Sequence, residues 1–229
     1  MIENGIGASV RRKEDQRFLI GKGNYTDDIN VAGQTHAVFV RSPHAHAEIK
    51  GIDCSDALAA PGVVAVLTGD DLAADGIGPL ICGVTVTSDD GEPHRAPAHP
   101  ALAQGKVNYV GDHVAIVIAE TRAQARDAAE LVDVDYSVLP AVIDTGSAAD
   151  SGQPQIHEVA PDNVCYNWPF GDKEGVEAAF AGAHKVSKLD LVNNRMVTNP
   201  MEPRAALGEY NQGMDEITLH LTTQNPHVH

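Results

Sequence analysis

Short runs of alternating apolar and polar residues recur along this chain, and they predict strands more often than helices. Residues 35–41 and 45–52 read as strands of this kind. Residues 63–68, Val63-Val64-Ala65-Val66-Leu67-Thr68, are continuously apolar up to Thr68. The run is too short and too rich in β-branched side chains for a helix, and it predicts a buried strand. A short helix is expected at 55–60, ended by Gly62. The clearest unit is a strand at 114–119, an Ala-rich helix to residue 131 and a strand at 132–136. Thr121 followed by Gln124 has the form of a capping box, in which each side chain satisfies a free amide of the first helical turn. This stretch predicts a β-α-β module whose helix covers one face of a sheet.

Between these units the pattern weakens. Residues 73–101 form a long stretch rich in Gly and Pro with one short strand expected at 81–87, and loops of that length are usually functional or interfacial. Residues 140–163 shift to Gly, Ser, Ala, Asp and Pro, the composition of a linker or surface crossing. Beyond them Asp172 is expected to cap a helix to residue 183. Three strands are then predicted at 186–193, 204–210 and 217–223, a meander following the helix. The predicted fold class is mixed α/β or α+β, with a domain boundary between 140 and 160.

Composition narrows the function. A chain of 229 residues with 43% hydrophobic content can build a sizeable core. The formal charge of −16 argues against nucleic acid or an anionic membrane surface as a partner, because phosphate recognition needs clustered Lys and Arg. Cys54, Cys82 and Cys165 are widely spaced and odd in number, which fits neither a disulfide framework nor a paired-cysteine metal site and suggests a reducing compartment. Arg11-Arg12 is followed by charged residues where a signal peptide requires an apolar run. No stretch reaches membrane-spanning length. A cytoplasmic location is expected.

Few residues offer chemistry on their own. His44 and His46, two apart, would share one face of a strand, but no carboxylate or Cys stands beside them at ligand spacing, so a metal is not expected. The same holds for His220, His227 and His229. Glu202 lies between Pro200 and Pro203, an unusual setting for a carboxylate, and an exchange of hydrogen bonds with Arg204 that holds a turn is the simpler reading. Nucleophile elbows and glycine-rich phosphate loops are missing. Gln224, at the tip of the last predicted strand, carries a neutral amide that can donate to an oxo group or oxyanion, although a strand-end Gln bonding backbone is the plainer expectation.

Several motifs in order resemble one family. They are Arg12-x-Glu14-Asp15, Gly21-Lys22-Gly23-x-Tyr25-x-Asp27-Asp28, Arg41-Ser42-Pro43-His44-Ala45-His46-Ala47 and Tyr109-Val110-Gly111-Asp112-x-Val114-Ala115. Val132-Asp133-Val134-Asp135-Tyr136-x-x-Leu139-Pro140, Met201-Glu202-Pro203-Arg204 and Thr223-Gln224-Asn225-Pro226-His227 follow. Together they are similar to the opening of the molybdenum-binding large subunit of the xanthine dehydrogenase superfamily, nearest to the aerobic carbon monoxide dehydrogenase type.

The resemblance implies an arm at 1–19, an a/b hammerhead domain at 20–140, a linker at 141–160 and the start of the first molybdopterin-binding domain at 161–229. It implies a molybdopterin-type molybdenum cofactor held mainly by residues beyond this chain. Gln224 matches the glutamine that donates a hydrogen bond to an oxo ligand of molybdenum. No catalytic residue and no metal ligand is assigned within the chain, because Glu202 does not match the family's catalytic base and the paired histidines are not family ligands. The implied activity is oxidation or hydroxylation of carbon monoxide, an aldehyde or an N-heterocycle with water as oxygen source. Electrons would pass to an iron-sulfur subunit and an FAD subunit of a heterotrimer, whose dimerisation is open. The chain is expected to be the front segment of such a subunit and inactive by itself. The alternative is a stand-alone hammerhead acting as an interaction or assembly module without catalysis.

Overall fold

A computed structural model describes residues 6–83, 85–193, 199–224 and 227. The chain divides into two compact units, one formed by Gly33–Ser187 and the other by Met1–Ala32 together with Lys188–His229.

The first unit contains two three-stranded antiparallel sheets. Strands β1 (His36–Arg41), β3 (Val63–Thr68) and β5 (His113–Ala119) form one, in the order β1-β5-β3. Strands β2 (Ala47–Asp53), β4 (Lys106–Val107) and β6 (Asp133–Val138) form the other, in the order β4-β2-β6. Val117 at the centre of β5 stands opposite Val38 of β1 and Val66 of β3. Helices α2 (Ser55–Ala59) and α4 (Arg122–Ala129) pack on this sheet, and Ala57, Val66, Val117 and Ala128 form its core with Val40, Val63 and Val132 at the margin. The helix side of the contact is built from alanines: Ala57, Ala125 and Ala128 are all fully buried. A second core joins Ala47, Ala103, Val107 and Val114 to Ile49, Ile52, Val134 and Tyr136 on the other sheet.

The expected β-α-β module is therefore half realised. Its helix α4 does cover a sheet face, but its two strands, β5 and β6, belong to different sheets. The capping box is also half realised. Thr121 Oγ1 accepts from the Gln124 N–H at 3.3 Å, yet the Gln124 side chain turns to the Thr121 hydroxyl, which donates to Gln124 Oε1 at 2.8 Å. The Gln124 amide also lies against Gly62, where an added Cβ would come within 2.2 Å of Gln124 Nε2. Gly62 adopts φ +77°, a conformation that only glycine takes without strain, and its carbonyl accepts from the Glu120 N–H at 2.9 Å.

Three further expectations are corrected. Strand β3 is largely half-buried, and Val66 is its one buried residue, because only one sheet face meets the helices. No strand forms among the described residues of 81–87; a single bridge links Thr87 to Pro93. Helix α3 (Gly69–Ala74) was not expected, since it opens on a glycine. It is secured by Asp71 Oδ2, which accepts from the Thr68 N–H at 2.7 Å and the Thr68 hydroxyl at 2.8 Å. Gly69 is required there, because a Cβ would lie 2.4 Å from the Ala103 carbonyl oxygen.

Residues 141–160 carry no helix or strand but are held by hydrogen bonds. Asn163 donates through Nδ2 to the carbonyls of Ala148 and Pro154 and accepts from the Ile156 N–H, all at 2.9 Å. Helix α5 (Lys173–Gly182) starts where expected, with Asp172 Oδ1 accepting from the Gly175 N–H at 2.9 Å.

The second unit contains α1 (Asp15–Leu19), a 3-10 turn at Thr26–Asp28 and the antiparallel hairpin of β7 (Ala206–Asn211) and β8 (Glu216–Leu221). Asn211 Oδ1 accepts from the amides of Gly213 and Met214, and the Tyr210 hydroxyl donates to Asp215 at 2.9 Å, which closes the hairpin. The predicted meander is thus a two-stranded hairpin. The described residues of 186–193 form no strand, and Leu189, Leu191 and Val192 are exposed, so their alternation finds no sheet to join.

Candidate functional site

Gln224 lies three residues beyond the end of β8, in a bend, with its side chain exposed. The ladder continues one step past β8, as the Thr222 N–H donates to the Ala205 carbonyl at 3.1 Å. Beside this step sits the N-terminal motif. Tyr25 N–H donates to Asp28 Oδ2 at 3.0 Å and Asp28 N–H to the Tyr25 carbonyl at 3.0 Å, which fixes the turn at Thr26–Asp28 against β7. The Thr26 and Thr222 hydroxyls then meet at 3.4 Å. Two segments 196 residues apart therefore bracket the strand end that delivers Gln224. The stretch from Gly21 to Asp28 was legible as a motif, but the place of Thr26 beside Thr222 was not.

The other candidates are dispersed. The His44 ring meets Tyr136 edge-on at 5.0 Å, while His46 is buried, its Nδ1 2.8 Å from the Pro140 carbonyl oxygen. Glu202 and Arg204 are exposed and form no ion pair with each other, so the expected mutual bonding is not observed. His220 Nε2 is 2.9 Å from Glu209 Oε1 across the hairpin, a local cross-strand pair. His227 is exposed, and His229, like Asn225 and Pro226 of the last motif, lies outside the described residues. Among the described residues no group of three or more His, Cys, Asp or Glu side chains could hold a metal ion. Cys54, Cys82 and Cys165 form no disulfide, and Cys82 Sγ lies 3.7 Å from His94 Nε2. None of the described helices is long and apolar enough to cross a membrane.

Titration concentrates in the first unit. Burial lowers the proton affinity of His157 below its ordinary 6.5, helped by His46 and Lys106. Burial does the same for His113, helped by Arg41. The unfolded chain binds these protons more tightly than the folded one, so the stabilisation is complete above 6.5 and drains away as pH falls through the lowered folded-state values. Thermal melts of the intact protein are expected to lose midpoint as pH drops below about 6.5. The variant His113→Gln/His157→Gln should flatten that slope; an unchanged slope would refute the assignment.

Comparison with known proteins places this geometry. The family model described as "Aldehyde oxidase and xanthine dehydrogenase, a/b hammerhead domain" matches residues 20–140, and "Molybdopterin cofactor-binding domain" matches residues 156–229. The carbon monoxide dehydrogenase large chain of Afipia carboxidovorans is 39% identical over 98% of this chain and 28% of its own length. The nicotine 6-hydroxylase large subunit of Paenarthrobacter nicotinovorans is 40% identical over 98% of this chain and 26% of its own length. Among solved structures, the Cu,Mo-CO dehydrogenase in its carbon monoxide reduced state superposes with a TM-score of 0.81 at 37% identity, covering 98% of this chain and 28% of that one. The chain spans little more than a quarter of the length of these relatives. The resemblance read from the ordered motifs is borne out, as is the mixed fold class. The chain belongs to the aldehyde oxidase and xanthine dehydrogenase family, carrying its a/b hammerhead domain and the start of its molybdopterin cofactor-binding domain.

Proposed function

We propose that this chain forms the front segment of the large subunit of a molybdenum-dependent oxidoreductase. The observation that carries the reading is similarity along 98% of the chain to large subunits named for carbon monoxide dehydrogenase and nicotine 6-hydroxylase. The complete subunit would oxidise or hydroxylate a small molecule, such as carbon monoxide, an aldehyde or an N-heterocycle, with water supplying the oxygen. Its electrons would leave through iron-sulfur and FAD subunits, in the cytoplasm. The hammerhead occupies 20–140, a linker 141–160 and the start of the cofactor-binding domain 161–229.

The residues present fit the cofactor in one respect. Gln224 is exposed at a strand end, and its amide is a neutral donor with no proton to contribute to the chemistry. When bound, a molybdenum cofactor supplies oxygen transfer and electron uptake. The chain's part is to hold the Gln224 amide at a fixed position through β8 and the Thr26–Thr222 contact. An oxo group facing that amide would gain a hydrogen bond without a change of protonation.

The test is production of the intact protein with its small subunits. It is expected to contain molybdenum and to reduce dye with a substrate from one of those three classes, while residues 1–229 alone give no turnover. Metal-free intact protein inactive on all three classes would overturn the reading, as would turnover by the 229-residue chain.

A further inference from the structure

We infer that His46 and Asn108 form a buried binding site for one neutral hydrogen-bond donor, a water molecule, beneath the segment that follows β6. His46 is 4% exposed, and the motif around it has no role in the function proposed above. Its Nδ1 faces the Pro140 carbonyl oxygen at 2.8 Å; a carbonyl can only accept, so Nδ1 donates, and in the tautomer protonated there alone Nε2 offers a lone pair. That Nε2 is buried and has no protein partner. A second buried atom in the same condition is Asn108 Oδ1, also an acceptor.

The register of the sheet brings the two together. The ladder pairs Ala47 with Val107 and Glu48 with Lys106 and ends there, so continuing its register sets His46 opposite Asn108, the residues just past its end. Ala47 and Val107 belong to the core, and the same alternation carried one step further puts His46 and Asn108 on the opposite face. Directly opposed side chains on one face stand about 5 Å apart at Cβ, a spacing that one bridging molecule spans. Two buried acceptors without a donor are costly, and water is the smallest molecule that donates twice.

Charge selects a neutral ligand over a cation. Lys106 acts electrostatically on His157, which is coupled to His46, and the Asp112 carboxylate accepts through Oδ2 from the Asn108 N–H at 3.1 Å. An ammonium or metal ion would lie near the Lys106 ammonium, with the neighbouring Asp112 carboxylate already accepting a hydrogen bond. The water would fasten the β2–β4 edge to the segment after β6, since the His46 ring already holds Pro140 and the Leu139 N–H donates to the His46 carbonyl at 2.9 Å.

A crystal structure of the intact protein at about 1.5 Å tests this directly. The expected result is a solvent peak about 2.7–3.2 Å from both His46 Nε2 and Asn108 Oδ1. A direct bond between the two side chains, with the Asn108 amide turned to donate, would overturn it, as would a side chain filling the space. A second measurement is hydrogen exchange of residues 139–160 in Asn108→Leu, which removes one acceptor and keeps the volume. Exchange about tenfold faster than in the parent is expected. Unchanged exchange would refute the fastening role.

Discussion

Val117→Asp is expected to abolish folding of the Gly33–Ser187 unit, with the intact protein recovered as aggregate. Val117 is fully buried at the centre of β5, flanked by Val38 and Val66 across both ladders and packed beneath Ala57 and Ala128. A carboxylate there has no basic group in its core cluster, and an unpaired buried charge costs several kcal/mol against a total stability of about 5–15 kcal/mol. Val117→Ala is the milder control. It removes two methyl groups at a cost of about 2 kcal/mol and should leave a folded unit with a lowered unfolding midpoint. Soluble Val117→Asp protein with parental protection of β1, β3 and β5 in hydrogen exchange would show that this valine is not the centre of the core.

The second large effect is functional. In the intact protein, Gln224→Ala is expected to lower kcat on the order of 10²-fold with molybdenum content unchanged, the size of effect seen when one preorganised donor is deleted. Gln224→Glu should do no better, since an ionised carboxylate of similar shape accepts and cannot donate. KM should move little if the amide acts on the reacting centre and not on the substrate. A kcat within twofold of the parent in Gln224→Ala would remove Gln224 from the reaction. Thr26→Val offers a graded companion, because it breaks the hydroxyl contact with Thr222 while leaving Gln224 in place.

What could be read from the residues followed the range over which each signal acts. Strands β1, β3 and β5 and the caps of α4 and α5 were legible because period and capping are written within a few neighbouring residues. The assignment of β5 and β6 to separate sheets was not, since it depends on which distant strand each one meets. Residues 186–193 mislead for the same reason: Leu189 and Leu191 alternate correctly, yet a strand exists only where a partner supplies its hydrogen bonds. Helix α3 was hidden by Gly69, whose presence reflects the nearby Ala103 carbonyl and not helix propensity. Gln224 could be picked out as a strand-end amide donor, but only the family resemblance gave it a role, because such an amide has no distinguishing chemistry until something is placed before it.

The strand order β1-β5-β3 has a consequence for how the protein is made. Both outer strands leave the ribosome before the middle one, and each pairs with β5 and not with the other. From Thr68, the end of β3, to His113, the start of β5, the chain advances 45 residues, roughly 2–9 s of synthesis. Throughout that interval β1 and β3 present unpaired edges and apolar side chains to the cellular milieu. The nascent chain is most vulnerable in that window, and chaperone capture or misassociation is expected to peak there and to fall once Ala119 has emerged.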